Sequence, residues 1–461
     1  MVVRWGRESP ELLITLDRDA PLGRQLQDCL RDAIRVGQLA LGEQLPASRA
    51  LAEQLGVSRG VVVDAYSQLE SEGYLRSTQG AGTVVASGAG ELATYAPARA
   101  SHRWDADFEY GVPDLREFPM RDWLWALGVA ARTAGPADLG DEPGNGATHL
   151  REVLAAYLRR VRSVVSDPDA IVVCAGFRYG LNLVLRGLGT VGVSSVALED
   201  PGPVGHDEIA RRCGMRVEYV PVDEHGLDVA SLAASDVRAV VVTPAHQAPT
   251  GVVLAAHRRH ELIEWARRVD GFVVEDDYDA EFRYDRQPVG AIQGLAPERV
   301  IAMGSTSKTL APTLRMGWIV CPPRLAEPLS AEKQLLGRGA PGLDQLALAA
   351  MIESGRYDRH LRRMRGVYKR RREILVDSLA RHAPGVVVTG LAAGCHAVLR
   401  VPIAEQTAVD RCAEHSVAVE GMSRFRSDRA VEPAELVLGF GNVRDAALAA
   451  AIERIGPELV R

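Results

Sequence analysis

Between residues 170 and 321 six short runs, "AIVVCAG", "SSVALED", "RAVVVTP", "GFVVEDD", "RVIAMGS" and "MGWIVC", are apolar almost throughout rather than at every second position. A strand reads this way when both of its faces are buried, and that requires helices on each side of a mainly parallel sheet. Stretches such as "AHRRHELIEWARRV" separate the runs and read as amphipathic helices. The pattern sets in near Asp105, so residues 105–461 are expected to form one large α/β unit. Within it, about 345–461 opens on the helical stretch "LDQLALAAMIESGRYDRHLRRMRGVYKRRREILVDSLARH" and ends in a smaller α+β subdomain.

The first 86 residues follow other rules. "LLITL" at 12–16 reads as a short strand, and Leu22, Leu26, Leu30, Ile34 and Val36 fall near helical spacing in a helix that ends at Gly37. In "LPASRALAEQLGVSRGVVVDAYSQLESEGYL", Pro46 and Ser48 open one helix and Gly56 closes it. Ser58 caps a second helix running to about Glu72. Two helices across a tight turn, followed by the strand–turn–strand pattern of "GYLRSTQGAGTVVAS", make a winged helix-turn-helix. Leu51, Leu55, Val62, Ala65, Tyr66 and Leu69 would form its core. Ser48, Arg49, Ser58, Arg59 and Gly60 at the two helix starts, with Gln79 and Gly80 at the wing tip, would face double-stranded DNA. One objection is charge: residues 1–90 hold 9 Arg and no Lys against 11 acidic residues, a net −2. DNA binding would then rest on a local patch. An ordinary helical hairpin used for dimerisation or docking is the alternative. Residues 87–104, rich in Ala, Gly and Pro, read as a linker.

Of the 54 basic residues only Lys308, Lys333 and Lys369 are lysines. Lys308 sits in "MGSTSKTLAPTLRMGW", between small hydroxyl residues just after an apolar run. A lysine amine can form a Schiff base with an aldehyde, and pyridoxal phosphate is the commonest aldehyde cofactor. Such a site also needs phosphate donors and an acid for the ring nitrogen. Ser305, Ser307 and Arg315 are candidate phosphate ligands, as are Gly176, Phe177 and Arg178, which lie between a strand and a helix. Asp276 could face the protonated ring nitrogen and Tyr278 the phenolic oxygen, at the end of a buried strand where α/β folds place ligands. Taken singly, each feature reads equally as a loop, a solvated strand end or a plain helix start.

Two resemblances join these pieces. "PLGRQL…AIRVGQLALGEQLPASRALAEQLGVSRGVVVDAYSQLESEGYLRSTQGAGTVV" resembles the winged helix-turn-helix of GntR-type transcription regulators, with Val61 where that family usually has Thr. "GSTSKTLAPTLRMGW", "EDDYDAEFRY", "TPAHQAPTG", "EDPG" and "GLDQLALAAMIESGRYDRHLRRMR" resemble the fold-type-I aminotransferase-like domain of the MocR-type subfamily. The resemblance implies a homodimeric, cytoplasmic, pyridoxal-phosphate-responsive regulator, with Lys308 as the Schiff-base lysine and His246 on the cofactor side. Control of vitamin B6 synthesis, as in one branch of the subfamily, is the expected role.

The departures bear on activity. Pro203 stands where the family often has Tyr, Gly205 where Arg is common, and Ala248 where a larger side chain is frequent. Val437 in "ELVLGFGN" replaces the arginine of members that grip an amino-acid carboxylate, although Arg424 and Arg426 lie nearby. Transaminase turnover is therefore not expected, and no residue is assigned a catalytic role. The rivals are a regulator sensing an amino acid or amine through the cofactor, an active aminotransferase with a DNA reader, and a cofactor-free regulator using the fold as a dimer scaffold. The basic stretch "RYDRHLRRMRGVYKRRRE" is read as a solvated helix face rather than a second DNA site. Six cysteines without CxxC spacing and histidines without ligand spacing indicate no metal site and fit a reducing compartment. No secretory signal is recognised at the N-terminus, and no run of about 18 uncharged apolar residues suggests a membrane span.

Overall fold

The computed structural model describes residues 2–3, 12–78, 82–87, 103–140, 144–284, 289–337 and 339–461. Gln79, Gly80 and residues 88–102 of the expected linker lie outside the described residues. The chain divides into two compact units, Met1–Ser101 and His102–Arg461.

In the first unit the helices Leu22–Arg35, Ser48–Leu55 and Arg59–Ser71 pack over a three-stranded antiparallel sheet, ordered Gln44–Leu45, Gly82–Val85, Leu75–Thr78. Leu51, Leu55, Val62, Ala65, Tyr66 and Leu69 are buried together with Leu26, Leu30 and Ile34. Gly56 ends the second helix at φ 67°, a left-handed conformation that only glycine takes up freely. The Ser58 hydroxyl accepts from the Val61 amide at 3.4 Å, which caps the third helix. The second helix opens at Ser48 as expected, and the Pro46 carbonyl just before it accepts the Tyr66 hydroxyl at 3.0 Å. Two expectations need correction. Val36 is 65% exposed, because the first helix stops at Arg35 and the position follows the turn rather than the stripe. The expected 12–16 strand is confined to Leu12–Leu13, paired antiparallel with Val2–Val3.

The second unit is built on an eight-stranded sheet. In space its strands run Gly226–Leu227, Arg216–Asp223, Ser195–Asp200, Ala239–Val242, Phe272–Asp276, Val300–Ser305, Gly317–Val320, Ile171–Cys174. From Arg216–Asp223 to Val300–Ser305 all neighbours are parallel; Gly317–Val320 is antiparallel to both of its neighbours. The six apolar runs are six of these strands. Arg216–Asp223 escapes the pattern because its residues alternate with polar ones and are mostly half-buried or exposed. The long helical stretch divides at Ser354–Gly355 into Gly342–Glu353 and Arg356–His382, with Gly355 at φ 68°. A four-stranded antiparallel sheet, Val387–Thr389, His396–Arg400, Glu435–Gly439, Glu420–Gly421, forms the small subdomain. Ala106–Asp107 pairs with Val417–Ala418, which ties the start of the large unit to its end.

Four of the nine arginines of Arg356–His382 act as clamps. Arg356 pairs with Asp122, Arg363 with Glu117, and Arg370 with Asp445. Arg371 is buried and pairs with both Asp114 and Asp445. Leu361, Met364 and Tyr368 face the core.

Candidate cofactor site and DNA-reading face

Strand register sets the site. Ser305 pairs with Gly317, Gly317 with Cys174, and Asp276 with Met303, so the ends of four strands reach one level. Gly176 follows Cys174 at φ 84° and caps the helix Phe177–Thr190, leaving the first amides of that helix directed outward. A Cβ on Gly317 would lie 2.9 Å from the Gly304 carbonyl oxygen and 3.1 Å from the Gly176 Cα, so glycines let these strand ends close together.

Lys308 is half-buried, and its amine donates to the Gly111 carbonyl. A Cβ on Gly111, which stands at φ 75°, would fall 2.6 Å from the Lys308 Nζ. Asp276 is buried, and its Oδ1 has no hydrogen-bond partner among the described residues. Burial drives its carboxyl well above the usual range; the Asp277 charge adds to this and the Lys308 ammonium opposes it. Ser305 is buried and Ser307 half-buried, while Arg315, at φ 48°, and Arg178 are exposed. Arg178 occupies the space beside Gly205, where a Cβ would meet its Nη2 at 2.6 Å. The Phe177 ring stacks on His206, with centroids 5.3 Å apart.

Behind Tyr278 lies a buried polar group that the sequence pointed to only through His246. The His246 Nδ1 is 2.8 Å from the Asp279 Oδ2 and 3.3 Å from the Tyr278 hydroxyl. Tyr278 also hydrogen-bonds the buried Tyr110 hydroxyl. His246, Asp279 and His396 cluster closely, yet each histidine is engaged by oxygen: His246 Nε2 is 3.3 Å from the Gly390 carbonyl and His396 Nε2 is 3.0 Å from that of Pro249. Glu199 accepts from the Thr243 hydroxyl at 2.6 Å, and burial pushes its carboxyl up to about 7. Tyr110, Asp279 and Glu199 were not singled out from sequence. Asp279 sits in the same "EDDYDAEF" run and was within reach, whereas no local feature of the sequence marks Tyr110.

Val437 is fully buried with Val398, Met422, Phe425 and the flank of Tyr110. Arg426 pairs with Glu435 and Arg424 with Glu420.

On the reading face the Arg59 Nε donates to the Ser48 hydroxyl at 3.4 Å, so the two helix starts meet. Arg49, Ser58, Arg59 and Gly60 are exposed and Ser48 is half-buried. Val61 packs against the domain core.

Comparison with known proteins agrees with both units. The family described as aminotransferase class I and II matches residues 131–455, and the bacterial regulatory proteins of the gntR family match residues 22–85. The pyridoxine biosynthesis transcriptional regulator PdxR of Corynebacterium glutamicum is 33% identical over 94% of this chain and 95% of its own. The probable rhizopine catabolism regulatory protein MocR of Rhizobium meliloti is 35% identical over 80% of each chain. Kynurenine aminotransferase from Pyrococcus horikoshii superposes with a TM-score of 0.70 at 26% identity, covering 77% of this chain and 91% of that one. A helix-turn-helix reader and an aminotransferase fold on one chain define a class of transcription regulators with an enzyme-derived domain. The chain belongs to the MocR-type subfamily of GntR transcription regulators. No helix among the described residues is long and apolar enough to cross a membrane.

Proposed function

We propose that the large unit binds pyridoxal phosphate and that this ligand, rather than an amino acid, sets the affinity of the reader for its operator. The observation that carries the reading is the buried Asp276 carboxyl, with an unpaired oxygen, under the charge of Lys308. A buried carboxyl oxygen with no hydrogen-bond partner among the described residues is costly, and a protonated ring nitrogen would satisfy it. When bound, the cofactor supplies an electrophilic aldehyde carbon and an aromatic ring that absorbs visible light. Lys308 supplies the amine, Asp276 the acceptor for the ring nitrogen, and Tyr278 a hydroxyl for the phenolic oxygen. Gly176, Phe177 and Arg178, with Ser305, Ser307 and Arg315, make a phosphate cradle of amides, hydroxyls and cations.

Val437 supports the choice of signal, because its apolar cluster offers nothing to an amino-acid carboxylate. Arg424 and Arg426 already serve acids of their own subdomain. Turnover as a transaminase is disfavoured on the same ground. The relative named as a pyridoxine biosynthesis regulator supports control of vitamin B6 supply as the biological role. A homodimer would carry two readers to two half-sites, with Ser48, Arg49, Ser58, Arg59 and Gly60 on DNA. Exposed Met120, Leu124 and Leu139 give the large unit apolar surface to cover.

Absorption spectra with pyridoxal phosphate, followed by operator binding on the same samples, test this for wild type and Lys308→Ala. The expected outcome is a visible band that requires Lys308 and an operator affinity that tracks it. An affinity that ignores pyridoxal phosphate but responds to an amino acid would overturn the choice of signal.

A further inference from the structure

We propose that His246 and Asp279 form a positioning pair that fixes the direction of the Tyr278 hydroxyl proton, so that Tyr278 donates to an anionic phenolic oxygen on the bound ring. The inference rests on the cofactor reading above and adds a residue pair that acts through Tyr278.

The geometry constrains where the protons lie. His246 and Asp279 are 1% and 3% exposed, so water does not compete for their hydrogen bonds. His246 faces a carboxylate oxygen with Nδ1, at 2.8 Å, and a carbonyl oxygen with Nε2, at 3.3 Å. Neither oxygen can donate, so the pairing is complete only when both ring nitrogens carry hydrogen. Burial pushes the imidazolium down, but the Asp279 charge, its hydrogen bond to the ring and the Gly390 carbonyl together hold His246 above the ordinary histidine value.

The other groups around the ring fit this assignment. His396, with its ring centroid 4.6 Å away, is pushed well below the usual value by burial and by the His246 charge, so it stays neutral. Arg283 opposes the charge on His246 from the segment after Asp279, and Tyr278 is uncharged because burial raises its hydroxyl. The backbone is shaped to admit the pair. A Cβ on Gly394, at φ 69°, would lie 2.2 Å from the Asp279 Oδ2 and 2.7 Å from the His246 Cε1.

With Nδ1 protonated, the Tyr278 oxygen 3.3 Å away can only accept from it. The tyrosine's own proton must then point elsewhere, toward Tyr110 or toward the ligand oxygen. Without Asp279 the His246 ring could sit neutral with Nδ1 bare, and Tyr278 could turn its proton to that nitrogen and present a lone pair to the ligand instead. With no imidazole at 246 the hydroxyl loses the donor that orients it.

A purely structural staple between the strand ends and the Gly390 loop would change stability or occupancy but not proton position. The discriminating readout is the pH midpoint of the visible band in the full-length protein loaded with pyridoxal phosphate. A donor on the phenolic oxygen favours its anion and lowers that midpoint. His246→Phe is expected to raise the midpoint by about one pH unit, the scale of one hydrogen bond to a charged group. Tyr278→Phe should give the same rise, and the double variant no more than either single change. His246→Asn, whose amide can donate from near the Nδ1 position, should restore most of the wild-type value. Asp279→Asn, which keeps side-chain volume, should raise the midpoint if His246→Phe fails to fold. An unchanged midpoint in a cofactor-loaded His246→Phe or Asp279→Asn, or additive shifts in the double variant, would overturn the pair. No visible band in wild type would remove the cofactor reading, and this inference with it.

Discussion

At the level of single residues the site stores its chemistry in buried acids, and Glu199 allows that to be measured without ligand. Its carboxyl is buried, accepts from Thr243 and Gln247, and is pushed from 4.5 up to about 7 by burial. The folded state therefore binds a proton more tightly than the unfolded one. The associated stability is full below the unfolded value of 4.5 and is lost as pH rises toward 7. Glu199→Gln cannot ionise, so its unfolding free energy should lose this slope. The difference from wild type should change by on the order of 1–3 kcal/mol between pH 4.5 and 7.5, measured by denaturant titration. Lys308 and Asp276 were singled out in sequence by rarity and strand-end position, and the structure brings the Lys308 charge to bear on the buried Asp276. Glu199 closes an equally plain strand, "SSVALED", yet nothing local says that its oxygens meet Thr243 from the next strand over. Tyr110 was hidden for a similar reason: it reaches the site because Ala106–Asp107 pairs with a strand some 300 residues later in the chain.

At the level of elements, the third helix of the reader shows what its fold does not require. Gly60 sits in the first turn of Arg59–Ser71 with no positive φ, and a Cβ there would meet nothing closer than the Ser58 hydroxyl oxygen at 3.8 Å. Packing gives no reason for glycine, which costs about 1 kcal/mol relative to alanine in a helix. Close approach of a phosphate or base edge does give one. Gly60→Ala should therefore stabilise the protein by roughly 0.5–1 kcal/mol while weakening operator binding. Thermal unfolding and operator titration on one sample check both arms; a stabilised variant with unchanged affinity would take Gly60 off the reading face. The elements themselves were mostly readable, since two-sided burial makes a strand uniformly apolar and Gly56 and Ser58 punctuate the helices. Arg216–Asp223 was not, because it lies toward the sheet edge, next to the two-residue strand that ends it, and its outward residues are polar. The basic helix was read as a solvated face, and four of its nine arginines, Arg356, Arg363, Arg370 and Arg371, are instead held in ion pairs.

At the level of the whole molecule, a regulator must couple a ligand in one unit to DNA on the other, and coupling between two binding equilibria is reciprocal. If pyridoxal phosphate changes operator affinity by some factor, saturating operator must change pyridoxal phosphate affinity by the same factor. For couplings of the usual size that factor is about 5 to 150. The measurement is a titration of the visible band with cofactor, with and without operator DNA, at one fixed salt concentration. Salt has to be held because residues 1–90 carry 9 Arg against 11 acidic residues, and phosphate contacts on the proposed face would rest on a few local arginines such as Arg49 and Arg59. DNA of equal length without the operator should leave the cofactor affinity unchanged. Lys308→Ala should abolish the visible band and, with it, the response of operator affinity to pyridoxal phosphate, while leaving basal operator binding in place. Equal factors in the two directions would mean that ligand and operator bias the same conformational equilibrium. A cofactor affinity indifferent to operator, beside an operator affinity that responds to added cofactor, would violate the linkage. The response would then have to come from a second route, such as free aldehyde reacting with lysine on the protein surface, and Lys369 is the exposed lysine to replace as the control.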